Sequence, residues 1–360
     1  MTTTRPGPNL RGTLARLAAR ITTPLLPADY LDLIDPLRSG GPLRGRIVSI
    51  SPETRDAVTL TIQPGRGWAG HVPGQYLRLG VEIEGVRHWR TYSLTSAAKA
   101  PGAQLSITVK ALHGGLVSNY LVRRATIETI VHLGPAAGEF TLGTAIPEKL
   151  LFLTAGSGIT PVIGMLRNIA PGQAGQITIV HSAPTPAEVI FGGELRMLAS
   201  RGRISLIEIH TDTQRRLAPD RLGALVGDLD SWHTWACGPA GFLRDIEAHW
   251  SALGLAERLR TEQFQPTIIT AGNGGSVSFS NSGITVEAKG DQSLLDAGES
   301  AGVLMPSGCR MGICFGCVVP LRHGAVRDVR NGDTTTAADG DGVLIQTCIS
   351  AAAGECTIEL

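Results

Sequence analysis

Three cysteines stand close together in Cys309-Arg-Met-Gly-Ile-Cys314-Phe-Gly-Cys317, and Cys348 follows 31 positions after Cys317. The pattern C-x4-C-x2-C…C is the spacing of a [2Fe–2S] centre. Two irons need four thiolates. One loop can wrap the cluster and supply three, while a distant strand closes the fourth side. Gly308, Gly312 and Gly316 lie between or beside these ligands. Without side chains there, backbone N–H groups can approach the sulfurs and stabilise added negative charge. A structural zinc site is the alternative, but it pairs its cysteines as two C-x2-C knuckles, and this loop has one long gap and one short one. Cys237 and Cys356 lie outside the pattern, and Cys356 reads as a buried small hydrophobe. A cluster of this type takes one electron at a potential on the order of −400 mV and needs a source for it.

Two further segments could supply that source. The first reads Arg90-Thr91-Tyr92-Ser93-Leu94-Thr95, with Pro73-Gly74-Gln75-Tyr76 upstream and Gly114-Gly115-Leu116-Val117-Ser118 downstream. An arginine can pair with a diphosphate, an aromatic ring can stack on an isoalloxazine, and a serine hydroxyl can bond its edge. Gly-Gly leading into a short helix offers backbone donors to phosphate. Each piece alone is equally a plain strand or a plain turn. In the second segment, Leu151-Phe152-Leu153 runs into Thr154-Ala155-Gly156-Ser157-Gly158-Ile159-Thr160-Pro161. A hydrophobic strand entering a glycine turn that opens a helix is the context in which a pyrophosphate meets backbone N–H groups. Ala236-Cys237-Gly238-Pro239 ends another strand of the same region. Core packing is the competing reading for Cys237 and for Phe264.

The 360 residues are 42% hydrophobic and 18% charged, enough for two or three domains with sizeable cores. A net charge of +1 gives no basic field for nucleic acid. No apolar run reaches membrane-spanning length and no signal core opens the chain. Clustered cysteines in a long chain favour a reducing compartment, so a cytoplasmic location is expected. Residues 1–42 read as an extension in which Leu10, Leu14, Leu17 and Ile21 fall at helical spacing between Arg11, Arg16 and Arg20. That helix would dock on the body or touch a membrane surface or partner, leaving the protein peripheral at the inner face of the membrane.

Residues 43–145 hold RGRIVSISPE, AVTLTIQP, QYLRLGVEIEG, VRHWRTYSLTS and QLSITVKAL, a run of short strands that predicts an antiparallel β-barrel. Residues 146–265 alternate buried-type strands (LLFLTAG, QITIVHSAP, ISLIEIHTD, HTWACGP) with helical patterns, which predicts a parallel α/β sheet. Residues 266–275 read as a linker. Residues 276–360 give a hairpin, a short helix, the cysteine loop and closing strands, an α+β β-grasp arrangement.

In that order the motifs resemble the ferredoxin–NADP reductase superfamily, fused to a C-terminal plant-type ferredoxin domain. The resemblance places a flavin on Arg90, Thr91, Tyr92, Ser93, Leu94, Val109, Lys110, Gly115, Val117 and Ser118. It places the nicotinamide nucleotide on Gly156, Ser157, Gly158, Thr160, Pro161, Ser182, Cys237, Gly238 and Pro239. Tyr92, Ser93, Cys237 and Phe264 would then surround the reacting rings. FAD is the expected flavin, although some reductases of this domain order use FMN. The second strand ends His181-Ser182-Ala183 with no acid to favour NADH. Arg215 and Arg216 could meet a 2′-phosphate, or form a solvated basic turn. NADPH is therefore expected, with NADH the alternative. Hydride would pass from nicotinamide to flavin, and single electrons from flavin to the cluster and onward to an external acceptor.

The stretches ITTPLLPADYLDL, LFLTAGSGITPVIGMLR, HSAPTPAEVIFG, TWACGPAGFL and CRMGICFGCVV resemble actinobacterial reductases that serve membrane acyl-CoA desaturases. The resemblance implies a desaturase as acceptor. The alternative is a soluble ring-hydroxylating or phenylacetyl-type oxygenase. The chain is expected to be a monomer, with its acceptor docking around Arg310, Met311, Ile313 and Phe315.

Overall fold

The computed structural model describes residues 34–38, 41–98, 104–264, 273–308, 310, 312 and 315–360. Most of the expected extension, the 266–272 part of the expected linker, Cys309, Met311, Ile313 and Cys314 lie outside them.

Six strands come first: β1 (Arg44–Thr54), β2 (Ala57–Pro64), β3 (Tyr76–Ile83), β4 (Val86–Ser93), β5 (Leu105–Lys110) and β6 (Ile130–Ala137). They form an antiparallel sheet in the order β4-β3-β6-β1-β2-β5. A bridge between Leu94 and Ile107 ties the end of β4 to β5, so the sheet closes on itself as a barrel. Alternation explains the interior: Leu60, Ile62, Leu77, Leu79, Leu105 and Ile107 are sealed from solvent. Helix α1 (Leu116–Arg123) packs against β4 and β5. Strand β6 was not among the strands expected from sequence, because Gly134 and Pro135 interrupt its apolar run.

The next sheet is parallel, in the order β11-β10-β7-β8-β9. Its strands are β7 (Lys149–Ala155), β8 (Gln176–Ala183), β9 (Ser205–His210), β10 (His233–Cys237) and β11 (Leu259–Glu262). Helices α2 (Ile159–Leu166), α3 (Gly192–Ser200), α4 (Leu222–Val226) and α5 (Ala240–Ala252) alternate with them. Both faces of β7 are buried. Leu150 and Phe152 enter one core, and Leu151 and Leu153 enter the other. The chain runs outward from β7 in both directions, so a crevice opens beyond the ends of β7 and β10. The four residues of β11 were also not expected as a strand. Polar residues make up most of this short edge element.

The C-terminal sheet is mixed. Strands β12 (Gly275–Phe279), β13 (Ile284–Ala288), β14 (Val318–Asp328), β15 (Thr334–Ala337) and β17 (Ser350–Ile358) run in the order β13-β12-β17-β14-β15, with β16 (Val343–Gln346) on β14. Among the described strands of this sheet, only β12 and β17 pair parallel, which gives the β-grasp pattern. Helix α6 (Leu294–Ser300) starts at Ser293, whose hydroxyl accepts the Asp296 N–H, and packs across β13 and β17. No described helix is long and apolar enough to cross a membrane.

Candidate flavin, nicotinamide and cluster sites

Arg90, Thr91, Tyr92 and Ser93 end β4, and Leu94 follows at the bridge to β5. A shallow cleft opens beside them, lined by Tyr76, Thr91, Tyr92, Ser93, Glu262 and Phe264. The Ser93 Oγ and Glu262 Oε2 are sealed from solvent and have no hydrogen-bond partner. Such groups are costly to bury unless something bonds them, and a flavin ring with donors and acceptors at its edge fits both. Arg90 donates to the Trp89 carbonyl at 2.8 Å. The carboxylate in its range is Glu299, 4.0 Å away. A desolvated guanidinium with so loose an anion fits a phosphate.

Gly115 caps α1, with Val117 and Ser118 in its first turn. A Cβ at Gly115 would lie 2.5 Å from the Ser118 Oγ, so a larger residue there would displace that hydroxyl. That hydroxyl accepts the Leu112 N–H at 3.1 Å and holds the turn closed. Val109 and Lys110 end β5, and the Lys110 Nζ is clamped by both Asp56 oxygens at 2.8 and 2.7 Å.

Across the crevice, Gly156-Ser157-Gly158 forms a tight turn into α2, where Thr160 donates to the Ser157 carbonyl at 2.9 Å and Pro161 follows. Gly156 has φ +56°, and a Cβ there would meet open space, so the turn leaves a cradle. At Gly158 a Cβ would sit 2.0 Å from the Cys237 carbonyl oxygen. The glycine turn is thus pressed against Cys237-Gly238-Pro239, and the two expected nucleotide segments meet. Ser182 pairs in register with Ala155 on β7, and its Oγ also lacks a partner. Beside it, His181 bonds Thr154 at 2.8 Å, and burial pushes its pKa down to about 4, helped by the His210 and Arg196 charges. Arg215 and Arg216 lie on an exposed turn after β9 and do not line the cleft.

Helix α2 also locks the two sheets together. A Cβ at Gly164 would lie 2.3 Å from the Leu94 carbonyl oxygen, and the Arg167 Nη1 donates to the Thr95 carbonyl at 2.7 Å. The nucleotide turn is therefore held against the end of the strand that carries Arg90–Ser93.

Glu262 is a residue the sequence reading passed over. Parallel pairing of β10 with β11 sets it opposite Cys237. Burial pushes its carboxyl up to about 8. Burial, and then the Glu262 charge, hold the Cys237 thiol well above its ordinary pKa, so it stays protonated. The signal was available in Glu262-Gln263-Phe264: an acid two residues before an aromatic at a strand end.

In the C-terminal sheet, Cys317 and Cys348 are both buried, with their Sγ atoms 3.2 Å apart. One iron atom can span that gap. The Cys348 sulfur holds the Cys317 thiol below its ordinary pKa, which suits a thiolate ligand. Gly312 has φ +77° and room only for hydrogen against Ile349 and Arg330, and its carbonyl accepts from Gln346 at 3.0 Å. Cys309 and Cys314, the other expected ligands, lie outside the described residues. Of the residues around which an acceptor is expected to dock, Arg310 and Phe315 are described. Arg310, at φ +60°, turns its side chain inward to Asp296 at 3.0 Å and to Glu299, and only 15% of it is exposed. Phe315 does face outward, at 69% exposed.

Family models match the three sheets in turn. An oxidoreductase FAD-binding domain matches residues 46–142, an oxidoreductase NAD-binding domain 152–248 and a 2Fe–2S iron–sulfur cluster binding domain 278–353. A protein of Mycobacterium tuberculosis (strain ATCC 25618 / H37Rv), an "NADPH oxidoreductase", is 46% identical over 355 residues, covering 96% of this chain and 92% of its own. The chain belongs to the ferredoxin–NADP reductase family. This reductase is also 30% identical over 299 residues to the ferredoxin reductase component of 3-ketosteroid-9-alpha-monooxygenase from M. tuberculosis (strain CDC 1551 / Oshkosh), covering 78% of this chain and 82% of that one. Phthalate dioxygenase reductase has the same fold, with a TM-score of 0.64 at 24% identity over 89% of this chain and 98% of that one. The reductase is an oxidoreductase with FAD-, NAD- and [2Fe–2S]-binding domains.

Proposed function

We propose that the chain passes electrons from NADPH through FAD and its [2Fe–2S] cluster to an oxygenase-type acceptor, a membrane acyl-CoA desaturase. The carrying observation is the position of β4. Tyr92 and Ser93 line the cleft with Glu262 and Phe264, while Arg90, two residues earlier, faces Glu299 beside the cluster loop. One strand thus borders both the nucleotide crevice and the C-terminal domain.

A bound flavin takes two electrons together and gives them up singly, which matches a hydride donor to a one-electron cluster. The chain's own groups orient and shield. Arg90 and the Gly115–Ser118 turn would hold the flavin's phosphates, Ser93 would bond the ring edge, and Tyr92 and Phe264 would flank the ring. Gly156, Gly158 and Gly238 let the nucleotide approach backbone, and Cys237 packs as a neutral thiol. Glu262 keeps its proton near neutral pH and adds no negative charge beside the reacting rings.

NADPH is favoured by the missing acid at the end of β8 and by the exposed Arg215 and Arg216. Initial rates with each nucleotide test this, and a strong NADH preference would reverse it. The desaturase reading rests on the sequence resemblance that runs through the N-terminal stretch. Electron supply to a purified acyl-CoA desaturase, read as NADPH-dependent double-bond formation, tests it. A second reading, a soluble oxygenase as acceptor, is favoured by the monooxygenase component named above. Turnover of such an oxygenase, with none of the desaturase, would replace the first reading. Contact of residues 1–42 with a bilayer predicts vesicle binding by the intact chain and none by a chain lacking them. Sedimentation as a monomer is expected.

A further inference from the structure

The C-terminal domain touches the flavin barrel through a small set of charged groups. Arg78 stands on β3, opposite Thr91 on β4. Its guanidinium lies over the Trp89 indole, 5.0 Å from the ring centroid. Its Nη2 donates to the Ser307 carbonyl at 2.6 Å, a bond between residues 229 positions apart. Ser307 is two residues before Cys309 in the sequence.

The platform under Arg78 is built for it. A Cβ at Gly80 would lie 3.1 Å from both Trp89 and His132, so glycine makes room for the indole. Trp89 also packs against the His132 ring at 6.2 Å. A Cβ at Gly134 would press on the Arg78 stem at 3.1 Å. A second contact lies beside the first. Glu299 on α6 pairs with Arg310, one residue after Cys309, and faces Arg90 of the flavin strand at 4.0 Å. Asp296 also holds Arg310, at 3.0 Å.

We propose that Arg78 is a positioning residue that seats the cluster loop on the flavin strand, with Glu299 as the counter-charge shared by Arg90 and Arg310. The side chain reaches the Trp89 ring and the Ser307 carbonyl. It acts by fixing the backbone of residue 307 and hence the approach of the loop that carries the cluster. A charge-assisted bond to a carbonyl, stacked on an aromatic face, is short, directional and partly shielded from solvent. Each transfer it serves moves one electron from the flavin, reduced by the nicotinamide, to the oxidised cluster, and over the two transfers the hydrogen taken up with the hydride leaves as a proton to solvent. The proposal rests on the electron path described above, and the test separates the two.

The test uses the full-length protein loaded with FAD and cluster. Arg78→Met keeps much of the stem over Trp89 and removes the donors, and Arg78→Lys restores one charged donor. Stopped-flow absorbance follows flavin bleaching by NADPH and cluster reduction separately, and small-angle scattering reports domain docking. Arg78→Met is expected to bleach its flavin within about twofold of the wild-type rate. It should slow cluster reduction at least tenfold and widen the scattering profile, with Arg78→Lys in between. Unchanged cluster reduction and scattering in Arg78→Met would overturn the proposal. Loss of flavin bleaching in the wild type itself would instead overturn the electron path. Should Arg78→Met fail to load its cofactors, Glu299→Gln repeats the test from the other domain. Slowed cluster reduction with intact bleaching supports the clamp, and wild-type behaviour overturns it.

Discussion

Glu262→Gln removes an ionisable group from the cleft wall while keeping its shape, and the effect can be worked from its burial. Burial pushes this carboxyl up to about 8 from an ordinary value of 4.5. Below about pH 4.5 the folded and unfolded chains both hold the proton, so burial carries no pH-dependent cost. Between there and about pH 8 the unfolded chain ionises while the folded chain stays protonated, and stability falls by about 1.4 kcal/mol per pH unit. Above about pH 8 the loss is complete, on the order of 5 kcal/mol. From pH 5 to pH 7 it is about 3 kcal/mol, which in a unit of 150–250 residues lowers Tm by roughly 6–12 °C. Glutamine does not titrate. The Tm difference between variant and wild type should therefore widen from pH 5 to pH 8 and then level off. Thermal scans of the cofactor-loaded protein without nicotinamide, in buffers from pH 5 to pH 9, measure it. A constant offset between the two curves at every pH would refute the assignment of a buried, proton-holding Glu262.

Cys314→Ser should abolish the visible absorbance of the cluster and leave flavin reduction by NADPH in place, and a retained cluster would break the ligand set. Arg90→Ala should purify with little flavin, read as the ratio of flavin to protein absorbance. Full occupancy would count against the barrel assignment. Gly158→Ala drives a methyl group to 2.0 Å from the Cys237 carbonyl oxygen. It should cost on the order of 1–3 kcal/mol of stability and weaken nicotinamide binding, which thermal unfolding and a nucleotide titration measure; unaltered affinity would show that the turn has slack.

Local motifs were legible in the sequence because their chemistry is local. The Arg90–Ser93 strand, the Gly156–Gly158 turn and the cysteine spacing each carry their meaning within a few residues, and β7 announces itself as Leu150–Leu153, buried on both faces. What escaped was set by partners far along the chain. Glu262 looks like a polar end to a weak strand until parallel pairing puts it opposite Cys237. β6 hides behind Gly134 and Pro135, and only its neighbours β1 and β3 make it a strand. Arg310 entered only as one of the residues around which an acceptor is expected to dock. A left-handed turn and two carboxylates on α6 draw it inward. No local pattern could have joined Arg78 to Ser307.

The tight seat of α2 on the flavin barrel bears on how such enzymes can be re-engineered. With Gly164 against the Leu94 carbonyl and Arg167 bonded to Thr95, the joint between the two sheets is a weld and not a hinge. A nicotinamide domain grafted from a relative, to change the electron donor, would have to bring along a residue without a side chain at 164 and an arginine at 167. Otherwise the graft would lift the new domain off the barrel. The natural cut for exchanging parts therefore lies after Phe264, beyond both sheets, and the flavin and nicotinamide units travel as one piece.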